Sequence, residues 1–168
     1  NGTLVHFLTA HPTPPVFDGN EDRNGKRNHD EIRFWADYIA GGDQANYIHD
    51  DQGGTGGLAS GSIFVIAGDY NADPNDGDAF QDPMELLLQH PLVNTSLTPE
   101  SAGGTLAAVD DNNNGNANAS HLTDPKFDTA DFSDAAPGNL RADYVLPSSN
   151  VEILAGGIFW PVEGDPNR

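Results

Sequence analysis

The sequence predicts an α/β or layered α+β domain, and three observations predict it. Short apolar runs with β-branched and aromatic residues recur at 4–11, 62–68 and 141–149, the pattern of buried strands. Segments with helical spacing and helix punctuation fall between them, at 28–41 and 82–91. The chain has 168 residues and no internal repeat, which suits a single domain spanning 1–168 with a core of its own.

The first strand is "LVHFLTAH" (4–11), with His11 at its tip and Val5 and Phe7 expected to face inward. "PTPPVFDGNEDRNGKRN" (12–28) reads as loop, proline first and then mixed charge and glycine. The helix that follows starts at Asn28, because Glu31 stands three residues on at capping-box spacing. Ile32, Trp35 and Ile39 share its buried face, and Gly41 stops it. Residues 42–61 are polar and glycine-rich, with room for a helical turn near "QANYIHD". "SIFVIAG" (62–68) is the clearest strand. A short helix over 82–91 takes Asp82 as cap, Pro83 as first residue and Pro91 as terminator. "VDDNNNGNANASHLTD" (109–124) reads as polar low-complexity loop. "RADYVLPSS" (141–149) and "VEILAGGIFWPV" (151–162) read as two more strands.

Composition excludes several chemistries. There is no cysteine, so disulfides, thiol nucleophiles and thiolate metal sites are out. No run of about 18 apolar residues exists to span a membrane. The formal net charge is -19, from 26 acidic residues against 7 basic ones. That balance opposes tight binding to a nucleic-acid backbone, whose affinity rests on Lys and Arg. It leaves room for a divalent cation as the positive charge of a site. An Asp-rich, Lys-poor chain suits a secreted or high-salt setting, marine included, as well as an ordinary acidic protein. The chain begins with Asn rather than Met and shows no signal-peptide pattern, so the expectation is a processed chain or a fragment.

The densest chemistry lies in "FVIAGDYNADPNDGD" (64–78), where an apolar strand stops at Gly68 and acids and amides follow. Asp69 and Asn71 stand two apart at a strand tip, so both can face one reacting centre. A carboxylate there can orient and deprotonate water, and an amide N–H can steady a phosphoryl oxygen. An Asx turn that merely closes the strand accounts for the same residues. "DPNDGD" (73–78) reads as a tight turn, with a second metal carboxylate as its alternative. Arg23, Lys26 and Arg27 sit together in the 12–28 loop; Arg23 and Arg27 are candidate contacts for a substrate phosphate, against the plainer reading of a solvated loop. Asp110, Asn112, Asn114 and Gly115 fall at four positions of a calcium-loop pattern. His121 closes it where a bidentate Glu belongs, which makes it a weak calcium candidate.

Three of these segments carry a resemblance. "FVIAGDYNADP" resembles the "GDFN" signature of the endonuclease/exonuclease/phosphatase superfamily, which includes deoxyribonuclease I and exonuclease III. "LRADYVLPS" is similar to its "R-[IL]-D-Y" strand, and "LVHFLTAH" to its strand ending in a catalytic His. All three occur in the family's order. The run from "HPTPPVFDG" to "GGIFWPV" is also similar to secreted bacterial members described as phosphatase-like. The resemblance implies a four-layer α/β/β/α sandwich and hydrolysis of a phosphoester at a divalent cation, Mg²⁺ first, with Mn²⁺ or Ca²⁺ as alternatives. Residue by residue, it implies Asp69 as base or water-orienting group. It implies Asn71 as a holder of a phosphoryl oxygen or a metal neighbour, His11 as the group that stabilises the scissile phosphate, and Asp143 as the residue that orients a second His. Metal contacts would fall to Asp69 and Asn71.

The departures from the family's pattern imply as much. The metal-binding Glu and Asn of its early strands have no counterpart here, and no His follows His121. The resemblance therefore implies a C-terminal portion of the domain without its final "[ST]-D-H" strand, unable to hydrolyse anything alone. Such a portion would leave sheet edges and an apolar face to be covered by further segments or other chains. A non-catalytic or assembly role is the second reading.

Overall fold

The structure, a computed structural model, describes residues 2–111, 117–162 and 164–166. Its centre is a three-stranded sheet of β1 (Val5–Thr9), β2 (Ile63–Asp69) and β5 (Asp143–Pro147), in the order β1-β2-β5. β1 and β2 run parallel, with Phe7 opposite Val65 and Thr9 opposite Ala67. β5 runs antiparallel to β2, with Asp143 opposite Asp69. Parallel neighbours need a crossover, and α1 (Arg23–Ala40) supplies it. A second, two-stranded sheet pairs β3 (Ala130–Asp131) with β4 (Asn139–Leu140). The chain is thus mixed α and β, with small sheets.

The core lies on one face of the main sheet. Leu8, Phe64, Ile66, Tyr144 and Leu146 point there and meet Ile32, Ala36 and Ile39 of α1. Met84 and Leu87, around the one-turn helix α2 (Glu85–Leu88), close the other side. Each Leu, Ile, Phe or Met side chain among them contributes about 1.5–3 kcal/mol by leaving water. The opposite face is bare among the described residues: Val5 is 50% exposed, and Phe7 and Val145 are each 67% exposed. The sequence expectation for β1 is therefore reversed. Val5 and Phe7 look outward because α1 packs on the Leu8 side, and strand alternation then fixes every other residue.

Other elements depart from expectation for local reasons. α1 starts five residues before Asn28. The Asp18 carboxylate accepts from the Asn24 N–H (2.5 Å), and Asp22 enters the helix in the left-handed region, φ 51°. Arg23, Lys26 and Arg27 are consequently helical, not loop. Gly41 does end the helix, with φ 66° and its N–H on the Asp37 carbonyl. The turn expected near "QANYIHD" is a 3-10 turn slightly earlier, Gly42–Ala45. α2 is shorter than 82–91, because Gln81 and Asp82 both carry positive φ (56° and 46°) and Asp82 makes no side-chain cap. α3 (Ala102–Asp111) was not expected at all. Its Gly103 and Gly104 are poor helix formers, but they let it pack tightly: a Cβ on Gly103 would lie 2.0 Å from the Trp160 carbonyl oxygen.

Residues 151–162 are not a strand. They run extended without a ladder, tied by Ile158 N–H to the Glu100 carbonyl (3.2 Å) and by Asn94 Nδ2 to the Val151 carbonyl (2.6 Å). Their apolar residues pack on α3 and 94–99 or stand exposed, as Leu154 does. No described helix is long and apolar enough to cross a membrane.

Candidate active site

Because β1 and β2 are parallel, their C-terminal ends lie at the same edge of the sheet. His11 follows the end of β1, and Asp69 ends β2. β5 runs the other way, so its first residue, Asp143, joins them opposite Asp69. His11 Nε2 lies 3.5 Å from Asp69 Oδ2, with the imidazole exposed and the carboxylate at the margin of solvent. The topology thus gathers His11, Asp69, Asn71 and Asp143 at one point.

The residues around this pair hold it in place. Gly68 lets the two strand ends approach, since a Cβ there would fall 1.9 Å from the Ala10 carbonyl oxygen. Asp69 Oδ1 accepts from the Asn71 N–H (2.9 Å), an Asx turn. Asn71 is in the left-handed region, φ 51°, and its Nδ2 donates to the Pro12 carbonyl (3.1 Å). The turn reading and the catalytic reading of this stretch are therefore compatible: the turn is what ties Asn71 to the His11 loop. Glu31 of α1 holds the same loop, accepting from Thr13 N–H (2.6 Å) and Thr13 Oγ1 (3.2 Å).

Asn28 is the residue that sequence reasoning misassigned most. It is no cap. It is fully buried in the middle of α1, and its Nδ2 donates to the carbonyls of Thr13 and Tyr70, both at 2.9 Å. One side chain thereby links the loop after His11 to the turn after Asp69. Tyr70, between the two site residues of that turn, points into the core and meets Tyr144 edge-on at 6.0 Å.

Electrostatics sharpen the picture at Asp143. Partial desolvation pushes its carboxyl above the ordinary range; the Thr129 hydroxyl pulls it back, the nearby Asp69 charge raises it, and His11 lowers it. Asp69 and Asp143 are the two carboxyl groups at this edge that could hold a cation. Among the described residues no cluster of three or more His, Asp or Glu stands ready as a complete metal cage. Two carboxylates still suit Mg²⁺, which keeps waters and takes ligands from substrate phosphates.

Other candidates fall elsewhere. The 73–78 segment is a structural turn: buried Asp73 accepts from Asn75 N–H, Asp76 N–H, Thr123 Oγ1 and Arg141 N–H. Asn112 and Asn114 of the calcium-loop pattern lie outside the described residues, as does the side chain of Asp110. Two hollows flank the pair. One, of about 690 Å³, runs from His11 along Arg23, Arg27 and Phe34 of α1. The other, of about 810 Å³, runs from Asp69 and Asp143 toward 151–158.

A family model described as Endonuclease/Exonuclease/phosphatase family matches residues 2–165. No curated protein and no solved structure matches the chain.

Proposed function

The chain belongs to the endonuclease/exonuclease/phosphatase family, whose chemistry is phosphoester or nuclease hydrolysis, and from that premise we propose that its sheet edge is a metal-assisted phosphoesterase site. The observation that carries the reading is the His11–Asp69 pair at 3.5 Å, at the ends of two parallel strands, with Asp143 opposite.

Asp69 orients the attacking water and accepts its proton, its other oxygen fixed by the Asn71 N–H. His11, exposed on the groove side, donates to a phosphoryl oxygen and stabilises the charge that builds there. Asn71 positions the His11 loop through the Pro12 carbonyl. Asp69 and Asp143 would hold a divalent cation, Mg²⁺ by preference, with the Asn71 amide beside it. When bound, such a cation polarises the phosphoryl oxygen and offsets the crowding of the two carboxylates. The strong negative charge favours a small phosphoester over duplex nucleic acid. The acidic, cysteine-free composition suits work outside the cell.

The test is turnover of bis(4-nitrophenyl) phosphate with Mg²⁺ or Mn²⁺, and again in excess chelator, by the protein together with whatever segments or chains complete its domain, since the chain alone is expected to be inactive. Turnover that needs the cation, and that Asp69→Asn lowers by about 10²–10⁴-fold, is the expected result. Turnover that Asp69→Asn leaves intact refutes the assignment. A second reading, a non-catalytic piece completed by other segments or chains, is favoured by the exposed Val5, Phe7 and Val145 on the bare sheet face. Absence of turnover with every divalent cation would favour it.

A further inference from the structure

The hollow beside His11 has a chemistry unlike the rest of the chain. Three of the seven basic residues, Arg23, Lys26 and Arg27, lie on one stretch of α1. Helical spacing puts Arg23 and Arg27 one turn apart on the same face, with Phe34 two turns further on. All of them line the hollow that begins at His11, as does Trp35.

The acids that line the same hollow are already engaged. Asp30 pairs with Arg33 (3.3 Å) and His29 (3.7 Å). Glu31 is held by Thr13. Lys26 turns its Nζ to the Glu21 carbonyl and over the Phe80 ring. The guanidinium groups of Arg23 and Arg27 have neither an ion pair nor a hydrogen bond among the described residues. Lys26 and Arg141 also lack an ion pair, but each has a hydrogen bond or a ring contact; Arg23 and Arg27 have none of these among the described residues, and in a chain of net charge -19 a bound anion would explain such a pair. Guanidinium groups match phosphate and carboxylate oxygens in paired hydrogen bonds.

We infer that Arg23 and Arg27 form a second anion subsite. The substrate is then a small phosphoester with another phosphate or carboxylate beyond the scissile group, and with a flat apolar part that reaches Phe34 and Trp35. This rests on the hydrolase reading for the word substrate, but the subsite itself is a binding claim. The basic strip is short. The other four basic residues, Arg33, Lys126, Arg141 and Arg168, are set against 26 acids. A polynucleotide would leave the strip after one or two phosphates and run over acidic surface, so a compact polyanion fits better.

The test is direct binding in excess chelator, read by Trp35 fluorescence, which separates it from any failure of turnover. The probes are adenosine 3′,5′-bisphosphate, adenosine 5′-monophosphate and a 12-residue oligothymidylate. The bisphosphate is expected to bind at least about tenfold more tightly than the monophosphate, a difference of about 1.4 kcal/mol. The double variant Arg23→Gln/Arg27→Gln should abolish that preference while melting as the parent does, since neither side chain holds the fold. Equal affinity for the two nucleotides, or a preference that survives the double variant, overturns the inference. Tighter binding of the oligothymidylate than of the bisphosphate overturns the choice of a compact ligand.

Discussion

Gly68→Ala tests whether close approach of two backbones builds the site. The new Cβ would sit 1.9 Å from the Ala10 carbonyl oxygen, where real Cβ contacts do not go below 3.0 Å. The strand ends must therefore part by at least 1.1 Å, the difference of those two distances. That motion strains the Ala10 N–H bond to the Ala67 carbonyl (3.3 Å) and carries His11 away from Asp69, now 3.5 Å off. Forcing a methyl into such a contact costs about 1–3 kcal/mol. For a chain of this length each kcal/mol lowers the melting temperature by about 2–4 °C, so the drop should be about 2–12 °C. A misplacement near 1 Å should also cost about 10²-fold in turnover. The assays are calorimetric melting, turnover of bis(4-nitrophenyl) phosphate, and the His11 Cε1–H resonance, which reports displacement even where turnover is absent. Gly157→Ala is the control, because its nearest atom would be 3.9 Å away. A Gly68→Ala protein with parental melting and an unmoved His11 resonance refutes the argument that bare backbone at β2 sets the pair.

Two further predictions follow from buried polar groups. Asn28→Ala leaves the Thr13 and Tyr70 carbonyls without their donor, so it should cost about 2–4 kcal/mol in a urea melt, and an unchanged midpoint would show that the link does not hold the two loops. Asp128 is buried, and that burial, then the charges of Asp73, Asp76 and Asp124, push its carboxyl from 3.8 up to about 7. The folded form thus keeps a proton that the unfolded chain releases, and stability falls as pH rises from about 4 to about 7 and levels off above. The full shift corresponds to at most about 4 kcal/mol. Asp128→Asn should therefore stabilise the protein at pH 8 and flatten that slope; melts at pH 5 and 8 that respond equally to the change would refute it.

The strands and their tips were legible because their signals are local. Apolar runs mark β1, β2 and β5, and the residues that end them, His11, Asp69 and Asp143, meet once the strands pair. The start of α1 was not legible, for a specific reason. Its buried stripe is Gly25, Asn28, Ile32, Ala36 and Ile39, and the first two are not apolar. Hydrophobic periodicity cannot see a stripe that continues as a glycine and an amide, and the capping-box spacing at Asn28 offered a plausible false start. The same holds for α3, whose glycines are chosen for contact with Trp160 and Pro125 rather than for helix propensity. In 151–162 the apolar and β-branched residues are real, but such a run says only that the segment can pack; a strand also needs a neighbour to bond, and none is there among the described residues.

The earlier start of α1 matters for chemistry as well as for boundaries. Had the helix begun at Asn28, Arg23 and Arg27 would be loop residues with no fixed spacing, and Asn28 would lie at a solvent-facing end. Beginning at Arg23, the helix fixes two faces at once. One face sends Asn28 inward to tie the His11 loop to the Asp69 turn. The other lays Arg23 and Arg27 along the hollow that opens at His11. Rotation or slippage of α1 would therefore disturb the His11–Asp69 spacing and the anion subsite together. Asn28→Ala should accordingly weaken adenosine 3′,5′-bisphosphate binding although Asn28 touches no ligand. The guanidinium substitutions, by contrast, should leave the His11 resonance unmoved. That asymmetry separates a helix that positions the site from one that merely lies beside it.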